Sequence, residues 1–310
     1  LRLFDRNTGA VITSIRILIA PANLQRGSRW GDYFFARSLQ KGFEAEGCAT
    51  SIVARDMWYE DLRENEADIY LRGFGGFEPI AGRPSLIWII SHPGNIQLDE
   101  LKAYDHIFCA TTNRRPLAQA IGRFNVTSML QATDPDIMKP HENPVRSDLL
   151  FVGINRRGGR PSLAHALGAG YDVDLYGSGW ADHSEYGQWF KSDLIPNEDL
   201  GLHYAGARAV LNDHWRDMRL TGYISNRVFD VLACGVPLVS DTIKGLPADI
   251  APFVYTWSDT DSFRSAVDAA RNEGPEKRSK RLFMSEKVRS EHSFQARARQ
   301  IVQKVHEIIG

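Results

Sequence analysis

Short, almost continuously apolar runs recur along the whole chain, each separated from the next by a segment with helical spacing. Ile15 to Ala20 (IRILIA), Ala67 to Leu71 (ADIYL), Ser85 to Ile90 (SLIWII), His106 to Thr111 (HIFCAT) and Val126 to Leu130 (VTSML) form a first series. Runs of this length, apolar at successive rather than alternate positions, suit strands buried on both faces of a parallel sheet. Trp30 to Glu46 places Phe34, Leu39 and Phe43 near helical spacing and stops at Gly47, a natural residue to end a helix. A second series follows: Asp148 to Gly153 (DLLFVG), Val173 to Gly177 (VDLYG), Ala207 to Asp213 (ARAVLND), Val236 to Asp241 (VPLVSD) and Phe253 to Trp257 (FVYTW). Between the two series, Gln131 to Ser147 is mostly polar and holds three of the 14 prolines, as a linker would. Two α/β lobes are expected, residues 1–140 and 141–291, in a chain whose 310 residues exceed one ordinary core. Open parallel sheets bind ligands beyond the carboxyl ends of their strands, so two such lobes would place their chemistry on either side of a cleft.

Composition removes several classes. No apolar run reaches the ~18 to 20 residues of a membrane span. With 37 Lys+Arg against 38 Asp+Glu, the net charge of -1 gives no field to gather nucleic acid, which is not expected as a partner. Cys48, Cys109 and Cys234 lack metal-ligand spacing and, being odd in number, cannot all pair, which points to a reducing, cytoplasmic setting. Leu1 to Thr13 has no secretory signature, and a start at Leu rather than Met is consistent with a piece of a longer protein. Ser285 to Gly310 reads as one amphipathic helix, and the basic run Lys277, Arg278, Lys280, Arg281 before it as a solvated face, with peripheral contact to anionic lipid as the alternative.

Polar chemistry is densest in LNDHWRDMRLTGYISNRVFD, Leu211 to Asp230, where Asp213, His214, Asp217, Arg219, Asn226, Arg227 and Asp230 crowd among Trp215, Tyr223 and Phe229. Ser225 suits the N-cap of a helix whose free N–H groups would meet an anion such as phosphate. Arg227 in its first turn could hold a diphosphate, and Asp230 one turn on could accept the hydroxyls of a ribose. The plain alternative is an Arg and Asp pair on a helix surface. A second anion candidate is FVGINRRGGR, where Gly153, Asn155, Arg156, Arg157, Gly158, Gly159 and Arg160 follow a buried strand, without the Gly-Lys-Ser/Thr ending of a P-loop. In the first lobe His92 follows the strand SLIWII directly, and Asp32 in RGSRWGD opens the first helix. Either could act as a base; the structural alternatives are an ordinary buried histidine and a helix N-cap. Asp172 and Asp174 in YDVDLYG imitate an Asp-x-Asp metal motif.

Together these segments resemble the GT-B class of nucleotide-sugar glycosyltransferases, most closely the CgeB (spore maturation) type. The matching stretches are ATDP at Ala132 to Pro135, LLFVGINRR at Leu149 to Arg157, LYGSGW at Leu175 to Trp180, IPNEDLGLHYAGARAVLNDHW at Ile195 to Trp215, GYISNRVFDVLACGVPLVSD at Gly222 to Asp241, and EHSFQARARQIV at Glu291 to Val302. The resemblance implies two Rossmann-like lobes facing a cleft, with a C-terminal helix, about 292–310, crossing back to the first. It implies donor nucleotide sugar in the second lobe, glycan or lipid-linked acceptor mainly on the first, and transfer with no cofactor or essential metal. The implied donor-side residues are Gly153, Asn155, Arg156, Arg157, Tyr176, Gly177, Asn197, Gly222, Ser225, Asn226, Arg227 and Asp230. Asp32, His92, Asp213 and His214 are the catalytic candidates. Many retaining relatives carry two glutamates with seven residues between them, where this chain has Gly222 and Asp230, so stereochemistry stays open. The implied setting is bacterial surface polysaccharide (O-antigen) synthesis at the inner membrane face, within a larger synthase in one version, with rhamnose suggested as the sugar. A sugar-nucleotide epimerase and a non-catalytic nucleotide- or glycan-binding lobe are the rival expectations.

Overall fold

The computed structural model describes residues 3–4, 11–12, 14–27, 30–122 and 125–309; Ser28 and Arg29 of the RGSRWGD segment lie outside them. The chain divides into two compact units. The first comprises Leu1–Ala132, Arg216–Ser225 and His292–Gly310, and the second Thr133–Trp215 and Asn226–Glu291.

A short antiparallel pair, β1 (Leu3–Phe4) and β2 (Val11–Ile12), precedes the first sheet. That sheet holds β3 (Ser14–Leu18), β4 (Ala49–Val53), β5 (Glu66–Arg72), β6 (Ser85–Ile89), β7 (His106–Cys109) and β8 (Val126–Ser128). All neighbours are parallel, in the order β4-β3-β5-β6-β7-β8. Every residue of β5 and β6 is buried, as their apolar runs require. The strand β4 was not foreseen, because an edge strand with half-exposed residues carries little apolar signal. On one face, the Gly31–Ala45 and Phe294–Ile309 helices pack together around Phe35, Leu39, Phe43, Phe294, Ala298 and Ile301. Gly42 permits the close approach, since a Cβ there would lie 2.7 Å from the Phe294 carbonyl oxygen.

The second sheet holds β9 (Ser147–Val152), β10 (Asp174–Tyr176), β11 (Phe190–Ser192), β12 (Ala207–Asn212), β13 (Leu238–Asp241) and β14 (Val254–Trp257). Its order is β11-β10-β9-β12-β13-β14, again all parallel. Around it pack Phe151, Leu163, Trp180, Leu211, Trp257 and Phe263.

The chain divides differently from the linear expectation at two places, and its end differs in its helices. Residues 133–140 pack with the second unit. The stretch runs so close to the Leu200–Gly206 helix that a Cβ on Gly201 would meet the Ile137 carbonyl oxygen at 1.9 Å. Arg216–Ser225, in the middle of the second series, belongs to the first unit, where Ile224 N–H donates to the Ala110 carbonyl at 2.9 Å. The C-terminal stretch is two helices, Pro275–Glu291 and Phe294–Ile309, broken where the chain returns to the first unit. Ser293 Oγ accepts from Ala296 N–H at 3.2 Å and starts the second helix. Arg281 of the expected basic face is buried and paired with Glu273 at 2.7 Å.

Candidate functional site

Strand order identifies where each sheet can bind. In the second unit, chain order reverses between β9 and β12, and in the first between β3 and β5. These are the switch points at whose carboxyl ends a crevice opens.

At the second unit's switch point, the loop after β9 brings Arg156 and Arg160 onto a single carboxylate. Arg156 Nη2 and Arg160 Nη1 lie 2.9 and 3.0 Å from Asp213 Oδ1, with all three side chains less than 10% exposed. Ser162 Oγ donates to Asp213 Oδ2 at 2.7 Å. Burial alone would raise the Asp213 pKa, but Arg160 and Arg156 hold it below the ordinary value. Arg160 is pushed down to about 10 by burial and by the neighbouring charges of Arg156 and Arg227, against the opposing pull of Asp213. Two guanidinium groups thus share one buried carboxylate, and Arg227 stands beside them over the same Phe151 ring as Arg160. Aromatic faces carry part of that charge: Arg160 and Arg227 sit 5.2 and 5.3 Å from the Phe151 ring centre, and Arg156 sits 4.3 Å from that of Trp215.

This geometry revises several assignments. Arg227 does not reach outward: Nη1 donates to Asn212 Oδ1 at 3.1 Å and Nη2 to the Val152 carbonyl, so it ties the ends of β12 and β9 together. Asp213 and His214 are not placed as catalytic groups. Asp213 is enclosed by its arginines, and the His214 side chain is fully buried, with Nδ1 2.7 Å from Asp241 Oδ1. Both hold the loop that presents the cations. Gly222 and Ser225 fall in the first unit, although Asn226, Arg227 and Asp230 follow immediately in the second. The helix they were expected to open runs Asn226–Ala233.

Asp230 is 6% exposed, and burial pushes its pKa up to about 7. Thr133 Oγ1 donates to Oδ1 at 2.8 Å and Asn226 Nδ2 to Oδ2 at 3.0 Å. Each oxygen has two acceptor sites, so each retains one beyond these partners. Arg157 contrasts with its neighbours. It is exposed, beside Gly158 and Gly159 at φ 87 and 72, and makes no hydrogen bond or ion pair among the described residues. The turn that follows β10 is set against the same loop. A Cβ on Gly177 would lie 2.3 Å from the Gly153 carbonyl oxygen, and Asn155 Nδ2 donates to the Gly179 carbonyl at 3.0 Å. Tyr176 packs edge-on against His203, and Asn197 is half-buried at the start of a short 3₁₀ turn.

The first unit's switch point has opposite chemistry. Asp32 lies in the first turn of the Gly31–Ala45 helix, and Trp30, not Asp32, occupies the N-cap. Its carboxyl group points at Gly73, just after β5: a Cβ there would lie 3.2 Å from Asp32 Oδ2 and 3.4 Å from Ser91 Oγ. Burial raises its pKa to about 6. His92, past the end of β6, is buried in the left-handed region at φ 52 and ψ 46, which costs a non-glycine residue on the order of 1 kcal/mol. The turn is held by Asn95 N–H on the His92 carbonyl at 3.0 Å and by Gly94 N–H on Asp217 Oδ2 at 3.1 Å. Phe74, 49% exposed, lies with its ring centre 4.0 Å from that of His92. The sequence did not single out Phe74, Ser91 or Thr133 for these roles; their positions just past strand ends were the available signal.

Asp172 and Asp174 sit at the opposite, amino end of the second sheet. Asp172 Oδ1 accepts from Trp189 Nε1 at 3.0 Å, and Asp174 pairs with Lys191 at 3.1 Å. Among the described residues, no group of three or more His, Cys, Asp or Glu side chains could hold a metal ion.

Two sheets of this order, with the last helix returning to the first unit, make the GT-B fold of glycosyltransferases. Residues 156–303, a little under half of the chain, match a family described as "Glycosyl transferase-like". Among solved structures, sucrose-phosphate synthase from Thermosynechococcus elongatus is similar at a TM-score of 0.65 and 12% identity, over 95% of this chain and 99% of that one. A glycosyltransferase involved in avilamycin A biosynthesis gives 0.62 and 14%, over 96% and 98%. A DNA-modifying β-glucosyltransferase, solved with and without its substrate uridine diphosphoglucose, gives 0.58 and 12%, over 95% and 99%. No curated protein matches the sequence.

Proposed function

We propose that the protein is a glycosyltransferase that moves a hexosyl or deoxyhexosyl group from a nucleoside diphosphate sugar to a hydroxyl of a glycan acceptor, without an essential metal. The observation that carries this reading is that Arg156 and Arg160 share the single carboxylate of Asp213 at a switch point, with the Arg227 guanidinium beside them. Two guanidinium groups on one carboxylate leave a surplus of part-buried positive charge there, which favours an anionic guest. Breaking the bond from anomeric carbon to phosphate oxygen builds negative charge on the departing diphosphate, and fixed cations lower that barrier. Arg157, on its glycine-flanked loop, supplies the mobile contact, while Asp230 takes the ribose.

On the acceptor side, Asp32 is the base in this reading. A carboxylate with a pKa raised to about 6 is still ionised at neutral pH and is a better proton acceptor than an ordinary one. It removes the acceptor hydroxyl proton as that oxygen bonds to the anomeric carbon and the nucleoside diphosphate leaves, which inverts the centre. Phe74, half exposed and backed by the buried His92, offers the acceptor ring an aromatic face. The resemblance to the CgeB type extends the reading to a growing bacterial surface glycan, with rhamnose as the sugar and the cytoplasm as the setting. Among the described residues, no helix is long and apolar enough to cross a membrane.

Thermal-shift screening of nucleoside diphosphates and their sugars, in EDTA, tests the proposal. A selective ligand should raise the melting temperature, and Arg157→Ala should weaken its binding roughly tenfold, about 1.4 kcal/mol, with little change in stability. Absence of any such ligand, or an unchanged Arg157→Ala affinity, would overturn it.

A further inference from the structure

Three arginines along the first unit's sheet face carboxylates. Arg16 lies 3.5 Å from Asp68, Arg72 is 2.7 Å from Glu100, and Arg83 is 3.1 Å from Glu66. Past the carboxyl end of β7, Arg114 and Arg115 instead line a cavity of about 710 Å³ with Asn113, Gln119 and Ala118, and among the described residues no Asp or Glu contributes to its wall. Arg114 is braced by donating from Nη1 to the Val126 carbonyl, which fixes its position without neutralising it. Arg115 is exposed and has no hydrogen bond or ion pair among the described residues. Ala118 and Gly122 continue the Arg115 face of the Arg115–Ile121 helix and add no charge to it.

Its location connects it with the candidate acceptor side. The strand β7 lies beside β6, and Ala110 N–H donates to the Ile89 carbonyl at 3.0 Å where the two strands end. Neighbouring strands are about 4.8 Å apart, so the loop carrying Arg114 leaves the same carboxyl end of the sheet as Ser91 and His92. Two adjacent guanidinium forks with no local counter-charge suit a phosphate monoester, whose three terminal oxygens can accept from both.

We propose that this cavity binds a phosphate monoester carried by the acceptor. The inference rests on the transferase reading for its purpose, but its binding test does not. Glucose 6-phosphate and glucose, titrated separately into the full chain and followed by saturation-transfer NMR, give the comparison. The phosphorylated probe should bind roughly tenfold more tightly, and 0.5 M salt should erase most of that preference, since the Debye length then falls to roughly 4 Å. Arg115→Ala should abolish the preference and Arg115→Lys should keep part of it, whereas Arg157→Ala in the second unit should leave it intact. Equal binding of the two probes, or a preference lost with Arg157 and kept without Arg115, would overturn the assignment. Phosphatidylcholine vesicles with and without phosphatidic acid separate the two sources of phosphate. Arg115-dependent sedimentation with the acidic vesicles assigns a lipid-borne phosphate, and a preference confined to glucose 6-phosphate assigns a soluble one. A retained Arg115-dependent preference in a protein that binds no nucleoside diphosphate would preserve this site and remove the transferase reading alone.

Discussion

The two switch points stand at equivalent places in two parallel six-stranded sheets, yet they are built in opposite ways. In the second unit, the charged groups are buried and cross-bonded: Asp213 with two arginines, His214 with Asp241, Arg227 with the ends of two strands. In the first, Asp32 accepts no hydrogen bond among the described residues, His92 is held in a strained backbone conformation, and Phe74 stands half in solvent. A rigid cationic frame suits a guest whose charge is always the same, because fixed dipoles and charges need no rearrangement as the reaction proceeds. A sparsely bonded edge with a raised carboxylate suits a group that must gain a proton and meet a variable partner.

The sharpest way to break this comparison is through stability. Asp213→Ala leaves Arg156 and Arg160 buried without a counter-ion and should cost about 3–5 kcal/mol, read by urea unfolding. A variant of normal stability that has lost only turnover would return Asp213 to the catalytic group and erase the contrast.

Next in size is Asp32→Asn, which should lower kcat/KM at least about a hundredfold, roughly 3 kcal/mol, while nucleotide affinity stays unchanged. The wild-type kcat/KM should rise with pH through about 6 and then level off, because the base works only when deprotonated. The linked stability runs the other way. A carboxyl group whose pKa rises from 3.8 to about 6 on folding binds its proton more tightly in the folded state, so its contribution is lost as pH climbs between those values. Asp32→Asn should therefore gain stability relative to the wild type above pH 6, and a rate profile flat from pH 5 to 8 would remove Asp32 from the role.

The smallest effect sharpens the comparison most. His92→Asn keeps a polar side chain that tolerates the left-handed backbone at φ 52, so its stability should change by no more than about 1 kcal/mol while transfer falls. Loss of stability without loss of rate would make His92 an ordinary buried residue.

Much of the fold was legible because a strand buried on both faces must be apolar throughout, and IRILIA, SLIWII, DLLFVG and VPLVSD each became one strand. The edge strands Ala49–Val53 and Phe190–Ser192 escaped notice because exposure relaxes that demand. The site was legible only as a cluster. Asp213, His214, Asn226, Arg227 and Asp230 are close in sequence, but which faces a guest and which braces another depends on partners far along the chain: Arg156, Asp241, Val152 and Thr133.

By itself, then, the order of residues determined two parallel sheets, their helices and the strand ends where polar chemistry would gather, because hydrophobic periodicity acts locally. Tertiary structure decided the division of labour. It sent Arg216–Ser225 to the first unit, turned Arg227 inward and left Arg157 without an ion pair among the described residues, because charge compensation and desolvation are settled between groups that meet only after the chain has folded.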